Sequence, residues 1–305
     1  MLLEFALEPK VVGADWRQCK YLLEKFGFDR GRLIAAFPKS WLRAVHEASA
    51  GLSDLDRKRV ETLLQRARDA LVRSGRTYDP ELNWFANALA QQAAAPFHAI
   101  IAEQNPDGRG DVLVADDVEE EAPLFQSPHG WQVQRTGAAL AAAMSPLLSY
   151  SHEIWFVDPF FSVLERPYVE TLRACLAAAA ASGNVGAGLQ IHYREHDRRP
   201  SIDDLERRIP RALAGAIPAG MSISLHAWVE RDGGEDMHAR YLLTDRGGLS
   251  VESGFSAVGT HQNVDLHLLT PNVCEAKRRA FAEGVTYKQE GPILVIDSDC
   301  RVSRR

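Results

Sequence analysis

Paired cysteines, a long apolar run and an excess of positive charge are all missing from this 305-residue chain. Cys19, Cys175, Cys274 and Cys300 are scattered without C-x-x-C spacing, which argues against a disulfide framework and against a zinc site. The longest apolar stretch, Ala138 to Leu148, is alanine-rich and about half the ~20 residues that a membrane span needs. With no secretory signal evident, the expectation is a cytoplasmic protein without membrane attachment. The net charge of −6 supplies no global basic field, so a nucleic-acid partner would have to use a local basic face. At 46% hydrophobic and 25% charged residues, the remaining composition suits a globular chain of one large or two ordinary domains.

Residues 1–104 read as a mainly helical domain after a short strand ended by Pro9. Trp16, Cys19, Leu22, Leu23 and Phe26 follow helical spacing, and Leu33, Phe37, Trp41, Leu42 and Val45 suggest more helix, broken near Pro38. Ser53 has the character of an N-cap for a helix that Gly75 stops, and Pro80 to Ile101 gives another. Many arginines lie here, but Asp54, Asp56, Glu61 and Asp69 are interleaved with them, as on a solvated, salt-bridged face. Residues 105–129 carry the acidic run Asp116-Asp117-Val118-Glu119-Glu120-Glu121 and read as a surface connector.

From residue 130 to 305 strands and helices take turns. Glu153 to Asp158, Gly188 to Tyr193, Met221 to Trp228, the runs beginning at His238 and Leu249, and Val264 to Leu269 are strands. Helices separate the early ones, and a last helix spans 272–283. This rhythm predicts an α/β domain whose mixed sheet is flanked by helices.

Within it, His238, Arg240 and Asp245 give the spacing H-x-R-x4-D. In an extended segment His238 and Arg240 share a face, since side chains alternate with period two. An imidazole beside a guanidinium suits phosphoryl transfer: the ring attacks phosphorus or protonates a leaving oxygen, and the cation stabilises the equatorial oxygens. His196, Arg198 and Asp203 satisfy the same spacing, but Arg199-Pro200-Ser201 reads as a turn, so that copy is a loop at the edge of a pocket.

The His238 segment resembles the HKD signature of the phospholipase D superfamily, with Arg240 in place of the usual lysine. The following Gly247-Gly248-Leu249-Ser250-Val251-Glu252-Ser253-Gly254 is similar to that family's glycine turn and second strand. Of its G-S-x-N, Ser253 survives, while Glu252 and Phe255 stand at the Gly and Asn positions. The resemblance covers roughly residues 130–285, including a first strand ending in Asp158-Pro159-Phe160. It implies a phospholipase D-like fold with His238, Arg240, Asp245 and Asp265 as catalytic residues and Arg240 and Ser253 on the substrate phosphate. Asp158, His196 and Arg198 would edge the pocket. Asp265 would orient His238, and Asp245 has the character of a turn cap. With one motif per chain, the resemblance implies a homodimer that shares one site. It would be a nuclease acting on DNA or RNA through a phosphohistidine, with no metal and no cofactor. The alternative is a catalytically inert subunit that binds nucleic acid or a partner protein in a bacterial defence or restriction complex.

Overall fold

The computed structural model describes residues 2–281 and 285–305, and the chain divides into two compact units, Met1–His129 and Gly130–Arg305. In chain order the first unit runs β1 (Leu3–Leu7), α1 (Pro9–Gly13), α2 (Trp16–Leu23), β2 (Arg32–Ala36), α3 (Trp41–Ala48), α4 (Asp54–Ala67), β3 (Leu71–Arg73), α5 (Trp84–Ala94), β4 (Ala99–Ala102) and β5 (Val112–Val114). Its strands form one sheet in the order β3-β2-β1-β4-β5, and every pairing is parallel. The mainly helical domain expected for 1–104 is thus an α/β unit. Of the overlooked strands, β2 and β4 are short and buried on both faces, so they lack the alternation that marks a half-exposed strand, and β3 and β5 have only three residues each.

Residues 105–129 are likewise not a free connector. They supply edge strand β5, bury Val118 and Phe125, and send Glu120 to Arg32 at 2.7 Å and to Lys25 at 2.9 Å. Glu120 of the acidic run therefore clamps two cations of its own unit, and these hold its carboxyl below its ordinary range despite partial burial.

The second unit runs β6 (Gly130–Arg135), α6 (Gly137–Tyr150), β7 (Glu153–Val157), α7 (Arg166–Ala181), β8 (Gly188–Arg194), α8 (Ile202–Ala212), β9 (Ser222–Glu230), β10 (Tyr241–Thr244), β11 (Gly248–Val251), β12 (Gly259–Leu268), α9 (Pro271–Ala280), β13 (Tyr287–Gln289), β14 (Leu294–Asp297) and β15 (Val302–Arg304). The far end of the expected last helix, up to Glu283, falls outside the described residues. These strands form a mixed sheet, β15-β14-β9-β8-β7-β10-β11-β12-β6, with β13 also paired to β9. β7, β8 and β9 are parallel, and β10 is antiparallel to β7.

Local chemistry explains the helix starts: the hydroxyls of Thr136 and Ser201 accept the backbone N–H groups of Ala139 and Asp204. α6 lies close against α7 because Gly137 has no side chain, and a Cβ there would come within 2.9 Å of the Glu170 carbonyl oxygen. One sheet face buries the rings of Phe156, Phe161 and Phe255, with Phe156 and Phe255 centred 5.0 Å apart. The other packs Val157, Trp228 and Leu243 against Cys274 of α9 and Phe281. On that face Trp155, His192 and His226 stack in a column with 4.7 Å between successive ring centres.

Candidate functional site

Three parallel strands bring their carboxyl-terminal ends to one edge of the sheet, and each ends in a charged residue: Asp158 just after β7, Arg194 on β8 and Glu230 on β9. β10 begins at this same edge because it runs antiparallel to β7. The strand order reverses here, with β8 on one side of β7 and β10 on the other, the place where open α/β sheets leave a crevice. Since β8 and β7 separate β9 from β10, residues 231–240 must cross the ends of both strands. His238 and Arg240 are carried by that crossing.

His238 is exposed and lies ahead of β10 rather than within it. Its Nδ1 is 3.1 Å from the Asp236 carbonyl oxygen, an acceptor only, so Nδ1–H donates and the neutral ring keeps its lone pair on Nε2. Glu230 stands near enough to feel the His238 charge. Its carboxyl is held below the ordinary range first by the Met237 N–H, 2.7 Å from Oε1, then by Arg194 at 3.1 Å. Arg240 Nη1 donates to the Glu252 carbonyl at 3.2 Å, and its guanidinium lies 5.3 Å from the centre of the Phe160 ring. Arg194 lies over the same ring at 5.7 Å. Both cations thus lie within 6 Å of the centre of one ring, and Phe160 is still 45% exposed.

Beneath this layer Asp158 is buried. Its two oxygens accept the N–H groups of Phe160 at 2.9 Å and Phe255 at 3.1 Å, tying the end of β7 to the turn after β11. Burial raises its carboxyl, while those N–H groups and the Arg240 and Arg199 charges oppose the rise. Gly254 is required beside it: the residue has φ +74°, and a Cβ would fall 2.3 Å from Asp158 Oδ2. Arg199 is fixed from below by the carbonyls of Phe161 at 2.7 Å and Pro159 at 2.8 Å.

The structure thus brings together His238, Arg240, Asp158, His196 and Arg198 on one edge; His196 and Arg198 line the same cleft as Phe160. Asp245 lies at the opposite end of β10, roughly 13 Å away for four residues at about 3.3 Å each. There its carboxylate accepts the N–H groups of His152 and Glu153, so it caps the start of β7. Asp265 sits on β12, and Gln132 of β6 donates to its Oδ1 at 3.0 Å. Ser253 is exposed in the turn after β11, where its carbonyl accepts Arg135.

Sequence reading missed Phe160 and Glu230 as members of this site. The available signal was the charged residue closing each parallel strand, which becomes meaningful only once the strand order is known. His192, close to this edge in sequence, belongs to the core: Trp228 Nε1–H donates to its Nδ1 at 3.0 Å, and its Nε2 faces Gln190 Oε1 at 3.1 Å. Among the described residues no group of three or more His, Cys, Asp or Glu is arranged to hold a metal ion, and no helix is long and apolar enough to cross a membrane.

No family model matches this chain, and no curated protein matches it. Among solved structures it shows a loose likeness to TrmBL2, an archaeal chromatin protein described as having a novel mode of DNA binding. The identity is 14% over 55% of each chain, with a TM-score of 0.28. A second likeness is to the polyphosphate kinase from Porphyromonas gingivalis, 16% identical over 72% of this chain and 34% of that one, with a TM-score of 0.30. The chain spans about half the length of the first and about a third of the second. Superpositions this loose carry no argument about function.

Proposed function

We propose that residues 130–305 bind and cleave phosphodiester bonds of nucleic acid in the manner of a phospholipase D-like nuclease, with His238 as nucleophile. The observation that carries this reading is the grouping at one sheet edge of the His238 ring, presenting Nε2, with two guanidiniums braced against Phe160. His238 Nε2 attacks phosphorus, the P–O bond to the leaving alcohol breaks, and a phosphohistidine forms that water then hydrolyses. Arg240 and Arg194 stabilise the charge on the equatorial oxygens. The Glu230 carboxylate favours the cationic ring as charge builds on it. A second imidazole protonates the leaving oxygen, and a second copy of the chain supplies it in a shared homodimer site.

A second reading has its own support. The Asp245 and Asp265 carboxylates make their bonds to His152, Glu153 and Gln132, and Arg240 donates to the Glu252 carbonyl, as in a site that grips phosphate without turning it over. On this reading the chain is an inert nucleic-acid-binding subunit of a defence complex. Incubating the full chain with single- and double-stranded DNA and RNA in EDTA separates the two. Cleavage that His238→Ala abolishes supports the nuclease; binding without cleavage supports the inert subunit and overturns the catalytic role.

A further inference from the structure

Beside the His238 edge, Phe160 also forms one wall of an open cleft of about 450 Å³, lined further by Tyr168, His196, Arg198, Arg199 and Arg208. We infer that this cleft seats one nucleotide of a single-stranded nucleic acid, next to the phosphodiester held between Arg194 and Arg240. The inference rests on the phosphodiester reading above and names its substrate class.

Three observations carry it. First, Phe156 and Phe161 are buried to within 1% of full cover, whereas Phe160 is 45% exposed although it sits between them on the same segment. A large ring left 45% in water with guanidiniums close by combines the exposed aromatic surface and the positive charge that stack bases in sequence-tolerant single-strand sites. Second, the cleft has the volume of a small-ligand site, enough for one base and its phosphate and not for a duplex. A paired base is already covered on both faces by its neighbours and cannot present one to Phe160. Third, the charge on the walls suits the backbone. Arg199 is fixed by two carbonyls, and the exposed Arg198 has its N–H bonded to His196 Nδ1 at 3.2 Å. Glu165 is an acidic group on the same wall, and Arg208 is shared with Asp204 at 3.1 Å, so Arg198 and Arg199 are the stronger candidates for phosphate contact.

The test uses the full chain carrying His238→Ala, so that binding is read without cleavage, and fluorescence anisotropy with labelled oligonucleotides. Single-stranded DNA, single-stranded RNA of the same sequence and the DNA duplex are the three probes. Expected are affinity for at least one single strand about tenfold or more above that for the duplex, and a further loss of about tenfold on Phe160→Ala, the size of one base stack. Phe160→Tyr, which keeps the ring, should stay near the parent. Arg198→Ala should lower the slope of log affinity against log salt by about one. The contrast between the two single strands identifies DNA or RNA as the source. Equal affinity for duplex and single strands, or a Phe160→Ala protein that binds single strands like its parent, overturns the inference. Because the readout is binding, selective single-strand affinity in a chain that never cleaves removes the nuclease and keeps the cleft. His238-dependent cleavage without single-strand preference does the reverse.

Discussion

Acidification from pH 7 to pH 5 should weaken the second unit by about 2 kcal/mol through His226 alone. Burial pushes this ring from the usual 6.5 down to about 4, with the Arg305 charge adding to the effect. Between those two values the unfolded chain binds a proton that the folded chain refuses, so stability is full above pH 6.5 and is lost as pH falls toward 4. At pH 5 the unfolded histidine is almost fully charged and the folded ring almost wholly neutral, which gives the ~2 kcal/mol at about 1.36 kcal/mol per unit. His192 acts in the same direction. It is held well below its ordinary value by burial and then by His226 and Arg278, and a proton on Nδ1 would oppose the Trp228 N–H already donating there. Urea melts at the two pH values should show the second unit's midpoint falling by roughly 1 M, for a slope near 2 kcal/mol/M. Hydrogen exchange of the β8 and β9 amides would assign the loss to this sheet. His226→Gln should flatten the pH dependence whatever it does to absolute stability. A midpoint unchanged between pH 7 and pH 5, or a His226→Gln protein as acid-sensitive as its parent, refutes the reasoning.

Arg240→Ala should cut cleavage ~100-fold or more while Arg240→Lys keeps measurable turnover in a phosphodiester assay, since a fixed cation is removed only in the first; wild-type rates in Arg240→Ala would make it a surface residue. Asp158→Asn should lower the melting temperature by a loss of ~1–3 kcal/mol, because an amide cannot accept both the Phe160 and the Phe255 N–H, and an unchanged melting temperature contradicts that account. Cleavage should persist in excess EDTA, as imidazole attack requires no metal ion; full loss restored by Mg²⁺ or Mn²⁺ would end the histidine route. Equal, freely exchanging mixtures of wild-type and His238→Ala chains should retain roughly a quarter of wild-type activity if two copies share one site, whereas one half would mean that each chain is complete.

The α/β character of the second unit was legible because its strands alternate with helices long enough to show a 3.6-residue period. The sheet of the first unit was not. Ala99–Ala102 and Arg32–Ala36 are runs of four and five residues with no exposed face, and such runs carry neither period. The spacing of Leu33 and Phe37 fits a helical face as well as it fits a strand's end. The acidic segment misled for a different reason. Composition records that Glu119, Glu120 and Glu121 are charged, but not that Phe125 behind them is fully buried and that Arg32 waits under Glu120. Burial of a few apolar residues is what makes a loop part of a domain, and five acidic neighbours conceal it.

The motif itself shows how topology divides what a sequence joins. H-x-R-x4-D reads as one unit of eight residues, yet the strand between Arg240 and Asp245 crosses the sheet, and the two ends face different surroundings. Because β10 is antiparallel to β7, its start joins the carboxyl-terminal edge where Asp158, Arg194 and Glu230 already stand, and its finish goes to the opposite edge to cap β7. A parallel β10 would have placed His238 and Arg240 at that opposite edge, away from every one of those charges. The direction of a single four-residue strand therefore selects which charged groups share a sheet edge with the imidazole. The partners it selects, Glu230 and Arg194, lie 8 and 44 residues before His238 and share no local pattern with it.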